Sequence, residues 1–174
     1  LMKNNISNKK KVVLIGFMAS GKSTIANKLS QKLNMKYADS DDTIELKENT
    51  KIHNIFSNQG ENYFREIEDI TIRELINSDN QIISIGGGAL ENTELANYIF
   101  ENSYVIYLFC KLDILVNRII NSNIQRPKFD INNYVNLYNS RENVYFKYSD
   151  LIIDNSYNIN NSINLLENEI LNAF

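Results

Sequence analysis

Short apolar runs alternate with longer amphipathic stretches along this chain. Lys11–Ile15 (KVVLI) is a short apolar run stopped by Gly16 and reads as a buried strand. Behind it, Ile25, Leu29 and Leu33 fall at i, i+4 and i+8, one face of a helix over Lys22–Leu33. MKYAD is a second short strand. A helical pattern then runs from Ser40 to about Phe56, with Asp41, Asp42 and Glu45 in its first turns, where the helix dipole favours acids. Gly60 breaks the chain, and Glu61–Ile76 is the next helix. QIISI, YVIYLF and DLIID are the third, fourth and fifth strands, separated by helical stretches. Ile163, Leu166, Ile170 and Phe174 stripe a last helix near Asn160–Phe174.

Strands alternating with helices predict right-handed crossovers and an α/β fold of three layers, α/β/α, around a five-stranded parallel sheet. The 174 residues fit a single domain, 1–174, without an internal repeat or linker. The segment about 121–133 (NSNIQRPKFDINN) has the composition of a flexible loop and holds the lone proline, Pro127.

Composition narrows the function classes. A net charge of −3 predicts no broad basic face for nucleic acid or anionic membrane. One cysteine, Cys110, excludes a disulfide within the chain and reads as a buried, inert thiol at the end of an apolar run. The single histidine, His53, cannot build a histidine metal site and reads as structural. The opening LMKNNISNKKK is basic but lacks the apolar core of a signal peptide, and no apolar run is long enough to span a membrane. A cytoplasmic, monomeric protein is expected.

Ligands of parallel sheets bind beyond the carboxyl ends of the strands, so the residues after each strand carry the chemistry. The first strand is followed by GFMASGKST. Gly16–Ser23 matches G-x-x-x-x-G-K-[ST] between a strand and a helix, the context that motif requires. Backbone N–H groups of Gly16, Met18, Ala19, Ser20 and Gly21 can cradle phosphate oxygens at a positively polarised helix N-terminus. Lys22 is expected to reach the outer phosphates of ATP, Ser23 to ligate Mg²⁺ and Thr24 to support the loop.

The second strand is followed by Asp39, Asp41 and Asp42. Capping explains Asp42. Asp39 and Asp41 sit at the sheet's carboxyl edge, where one can hold Mg²⁺ through water and the other can orient or deprotonate an attacking hydroxyl. Arg65 has Glu61 and Asp69 four residues away on its helix, an ordinary surface pairing. Yet Arg65 and Arg141 near one pocket could also grip a carboxylate. Arg126, in the 121–133 segment, could neutralise charge on a transferring phosphoryl group. The third strand is followed by Gly86, Gly87 and Gly88, half of the chain's six glycines. A run of bare backbone lets a substrate ring approach closely.

Taken in order, GFMASGKST, DSD, GENYFREIE, GGG, RP and R-x-x-x-Y before the last strand resemble the shikimate kinases, phosphate-loop kinases related in fold to the nucleoside monophosphate kinases. The resemblance covers nearly the whole chain. It implies ATP-dependent phosphorylation of the 3-hydroxyl of shikimate, giving shikimate 3-phosphate and ADP for chorismate and aromatic amino acid synthesis. It makes Lys22, Asp41 and Arg126 the catalytic residues. It makes Arg65 and Arg141 the carboxylate pair, Gly86–Gly88 the wall of the shikimate ring, and Asp39 the acid that holds Mg²⁺ through water. Ser84 is implied near the metal and Arg118 near the adenine. The segment about 40–68 binds substrate, and that at about 121–133 is the lid. Asn143 stands where the family usually has proline, and Lys128-Phe129 where apolar residues usually follow Arg-Pro. The alternatives are a related kinase of gluconate or a nucleoside monophosphate, and a non-catalytic nucleotide-binding module.

Overall fold

In the computed structural model, which describes residues 11–79, 81–121 and 130–173, the five apolar runs pair into one sheet. The chain runs β1 (Val12–Ile15), α1 (Lys22–Leu33), β2 (Tyr37–Asp39), α2 (Ser40–Glu48), α3 (Ile52–Asn77), β3 (Ile82–Ser84), a 3-10 turn (Ala89–Glu91), α4 (Thr93–Asn102), β4 (Tyr104–Phe109), α5 (Leu112–Ile120), α6 (Ile131–Lys147), β5 (Leu151–Asp154) and α7 (Ile159–Ala173). The sheet order is β2-β3-β1-β4-β5 and every neighbouring pair is parallel. The first strand is therefore central. The register aligns Leu14 with Ser84, and Ser84 with Asp39, so the ends of β1, β3 and β2 lie side by side.

Alternation along β1 divides the core. Val13 and Ile15 face α3, α4, α5 and α6, whereas Val12 and Leu14 face α1 and α7. Ile25 and Leu29 from α1, and Leu166 and Ile170 from α7, are fully buried on that second face. Each such side chain contributes about 1.5–3 kcal/mol by leaving water. The result is the three-layer α/β/α arrangement that the sequence pattern implies. Cys110 is buried, as expected. Phe174, the last residue of the helical stripe, lies outside the described residues.

The sequence reading of one helix from Ser40 to Phe56 is corrected. The first helix stops at Glu48, where Asn49 adopts a left-handed φ of 50° and its N–H returns to the Glu45 carbonyl. Asparagine is the non-glycine residue that best tolerates this C-cap, and in a glycine-poor chain it takes that role again at Asn34. Glu45 Oε1 then accepts the Ile52 N–H at 3.0 Å and starts the second helix. Gly60 breaks the helical backbone of α3 into two parts across a kink, as the sequence reading expects. Its φ of 85° and ψ of 173° interrupt the helical backbone, and a side chain there would meet nothing within 4 Å. Its glycine is needed for the backbone angle alone. The helices of this segment share a small core of their own, Ile44, Ile55 and Phe64.

Candidate active site

The phosphate loop leaves β1 at Gly16, where a Cβ would lie 2.8 Å from the Leu108 carbonyl oxygen of neighbouring β4. Only glycine lets the two backbones approach this closely. Helix α1 starts after Gly21 with no side chain capping its first N–H groups, which leaves them for a ligand. Lys22 folds back and donates to the carbonyls of Gly16 (2.8 Å) and Phe17 (3.1 Å). Burial lowers its pKa to about 8, partly offset by the nearby Asp41 and Asp39 carboxylates. The loop is braced from outside. Asn155 Nδ2 donates to the Ser20 carbonyl (2.7 Å), Arg118 to the Ala19 and Ser20 carbonyls (3.2 and 3.4 Å), and Tyr134 to the Met18 carbonyl (3.0 Å). Arg118, for which the resemblance implies a place near the adenine, braces the phosphate loop through these bonds. Thr24 is exposed in the first turn of α1.

Asp39 does two things at once. Its Oδ1 caps α2 by accepting the N–H groups of Asp41 (2.9 Å) and Asp42 (3.4 Å). Its Oδ2 accepts the Ser23 hydroxyl at 2.7 Å, and Ser84 Oγ lies 3.5 Å from that hydroxyl. A carboxylate and two hydroxyls suit a hard cation that keeps waters and phosphate oxygens in its shell. Among the described residues there is no cluster of three His, Cys, Asp or Glu that could hold a metal without such help. The donor set fits Mg²⁺ with a nucleotide and does not fit a cation caged by protein alone. Asp41, two residues on, faces the same cavity. Burial and then the Asp39 charge raise its pKa above the ordinary carboxylate value, with Lys22 working against both.

Met18, Ala19, Lys22, Ser23, Asp39, Asp41, Ser84, Gly86, Gly87 and Arg141 line one cavity of about 400 Å³. Gly16, Ser20 and Gly21 shape the loop around it. An adjoining cavity of about 270 Å³ is lined by Arg65, Glu68, Gly88 and Glu91, among others. The two arginines, 76 positions apart in sequence, converge on Gly88. Its Cβ position lies 2.7 Å from Arg65 Nη1 and 3.0 Å from Arg141 Nη2.

The glycine run also makes room inside the protein itself. A Cβ on Gly86 would lie 2.8 Å from Glu68 Oε1 and 2.9 Å from Asp41 Oδ1, and one on Gly88 would meet both guanidinium groups. The missing side chains make room for the protein's own functional groups. Gly86 N–H is also engaged, donating to Ser40 Oγ at 3.0 Å. Gly87 is held by Tyr145, whose hydroxyl donates to its carbonyl at 2.5 Å.

Residues that the sequence reading passed over complete the site. Arg65 pairs with Glu61 (3.2 Å), as its spacing allowed, but Asp69 pairs with Arg73 instead (2.8 Å). The stronger partner of Arg65 is Glu68, at 2.7 Å and almost fully buried. Burial raises the Glu68 pKa, offset in part by Arg65. An i,i+3 spacing was its only signal in the sequence. Glu91, from the 3-10 turn, meets Arg141 Nε at 2.7 Å and Arg65 Nη2 at 3.7 Å. Residues 122–129, including Arg126, lie outside the described residues.

Three comparisons bear on this site. The family model described as shikimate kinase matches residues 18–171. A curated shikimate kinase of Sulfurihydrogenibium sp. (strain YO3AOP1) is 41% identical over 138 residues, 78% of this chain and 82% of that protein. One from Bacillus mycoides (strain KBAB4) is 35% identical over 164 residues, 92% and 96% of the two chains. Among solved structures, the shikimate kinase of Aquifex aeolicus vf5 superposes with a TM-score of 0.79 at 28% identity, covering 93% of this chain and 96% of that one.

Proposed function

The chain belongs to the shikimate kinase family, and from that premise we propose that its two adjoining cavities carry out ATP-dependent phosphorylation of the shikimate 3-hydroxyl. The observation that carries this reading is the convergence on one cavity edge of a phosphate loop, a half-buried aspartate and two arginines from distant helices. A bare nucleotide binder has no use for Asp41 or for the arginine pair.

The phosphate loop and Lys22 hold the β- and γ-phosphates of ATP. Ser23 and Asp39 would hold Mg²⁺, which would offset the charge of the phosphate oxygens. Arg65 and Arg141 grip the shikimate carboxylate, with Glu68 fixing Arg65 from behind. This fixes the ring against Gly86 and Gly87 with its 3-hydroxyl toward Asp41. That oxygen attacks the γ-phosphorus as the bond to the bridging oxygen of ADP breaks. Asp41 accepts the hydroxyl's hydrogen bond and, as the new P–O bond forms, its proton. A pKa raised by burial makes it a better acceptor than an exposed aspartate. Catalysis otherwise rests on alignment and charge neutralisation. Arg126 supplies the remaining cation from the lid at about 121–133. The segment about 40–68 closes with the lid to exclude water, which could otherwise accept the phosphoryl group. The separate small core under that segment supports independent movement. The reading needs no residue from a second subunit, in keeping with the expected monomer. No helix among the described residues is long and apolar enough to cross a membrane.

The deciding experiment is a coupled ADP-release assay with Mg·ATP and, in turn, shikimate, gluconate and nucleoside monophosphates. Turnover is expected with shikimate, and its absence would sink the reading. Arg65→Ala or Arg141→Ala is expected to raise the KM for shikimate by roughly tenfold to over a hundredfold, the loss of a charged hydrogen bond. Weakened ATP binding in its place would refute the carboxylate assignment. Gly86→Ala is expected to cut kcat/KM for shikimate by roughly tenfold or more, because its methyl group must move both Asp41 and Glu68. The KM for ATP should hold, and an unaltered kcat/KM would count against the role given to this glycine.

A further inference from the structure

Glu91 stands where an incoming carboxylate has to bind. Its two oxygens are divided between the arginines, Oε1 on Arg141 Nε at 2.7 Å and Oε2 toward Arg65 Nη2 at 3.7 Å. A substrate carboxylate bridging the same two guanidinium groups makes the same kind of contacts. Arg65 keeps Glu68 and Glu61 when Glu91 leaves, whereas Glu91 is the ion-pair partner of Arg141 among the described residues. The Glu91 side chain is 42% exposed, so it can turn into water, while that of Glu68 is 3% exposed and cannot. Its backbone is tethered one residue beyond Ala89-Leu90, directly after the glycine run, with its N–H on the Gly88 carbonyl at 3.0 Å.

We propose that Glu91 is a built-in competitor for the arginine pair, which the acceptor's carboxylate must displace. This rests on the reading of Arg65 and Arg141 as the carboxylate anchor. A tethered carboxylate acts at a local concentration in the millimolar range or above. Small inorganic anions, with nothing else to bind, lose to it. A ligand that also engages Asp41 and the glycine wall wins. The empty anchor is therefore kept off salt anions, and some affinity for the true acceptor is given up in return.

The test is steady-state kinetics of the unaltered chain and Glu91→Gln, with shikimate varied at several chloride concentrations. Glu91→Gln is expected to lower the KM for shikimate by about two- to fivefold at low salt, the range of a half-exposed ion pair. Chloride should inhibit the variant more strongly against shikimate than it inhibits the unaltered chain. The KM for ATP reports whether the change is confined to the acceptor site, and a thermal melt reports folding. A residue that merely positions Arg141 gives the opposite sign. A shikimate KM equal to or above that of the unaltered chain, or equal chloride inhibition of the two proteins, overturns the proposal. If Glu91→Gln fails to fold, the same criteria apply to Glu91→Asp, whose shorter reach should lower the KM in the same direction. If the unaltered chain shows no shikimate turnover, the shikimate reading itself fails and the role of Glu91 fails with it.

Discussion

Asp41→Asn should lower kcat by roughly 10²–10⁴, the usual contribution of a positioned acid–base group. The amide keeps the volume of the carboxylate but cannot take the hydroxyl proton. Shikimate should still bind, because its carboxylate anchor is untouched. The same substitution should stabilise the fold. Burial and the Asp39 charge raise the folded-state pKa of Asp41, so its ionised form is held at a cost. The sign follows from linkage: the favourable contribution of the protonated group is complete below the unfolded value of about 3.9 and is lost as pH rises through the raised folded value. At neutral pH, without nucleotide or Mg²⁺, Asp41→Asn should melt above the unaltered chain, and the gap should close below about pH 4. Near-normal turnover would remove Asp41 from the chemistry. A lower melting temperature at pH 7 would contradict the electrostatic account.

Arg126→Ala should lower kcat by roughly 10³ or more, as loss of a charge-neutralising arginine does in phosphoryl transfer. The described part of the cavity makes the demand for this cation concrete. Its lining holds two cations, Lys22 and Arg141, against the acids Asp39 and Asp41. On the proposed reading Arg141 serves the carboxylate end, which leaves Lys22 as the cation of this lining for the phosphates. A bound Mg²⁺ would offset part of the charge that spreads over the γ-phosphoryl oxygens, and another cation must offset the rest. Single-turnover rates at saturating ATP and shikimate separate a chemical role from a binding one. A kcat within a few-fold of normal would reduce Arg126 to a solvated loop residue.

Most of the residues that line the cavity were legible in the sequence because their motifs are local. GFMASGKST carries its own instructions, since glycines, a lysine and a hydroxyl at fixed spacing between a strand and a helix leave few arrangements. Asp39 and Asp41 could be read from their place after a strand. The alternation of apolar runs and amphipathic stretches sufficed for the α/β class and its layers. Local chemistry misled where it was ambiguous. Asn49 looks like an ordinary helix residue until its left-handed backbone ends α2, and Asp69 is as well spaced for Arg65 as Glu61 but is taken by Arg73.

The amino-acid sequence by itself determined the strands, the phosphate loop and the acids at its edge, because each depends on neighbours a few residues away. Only the tertiary structure decided that β1 lies between β3 and β4, that Arg65 and Arg141 meet over Gly88, and that Glu68 and Glu91 hold them there. Those contacts join separate helices and strand ends. No periodicity or spacing encodes them, because the order of strands in the sheet and the packing of helices upon it set which distant side chains come within hydrogen-bond reach.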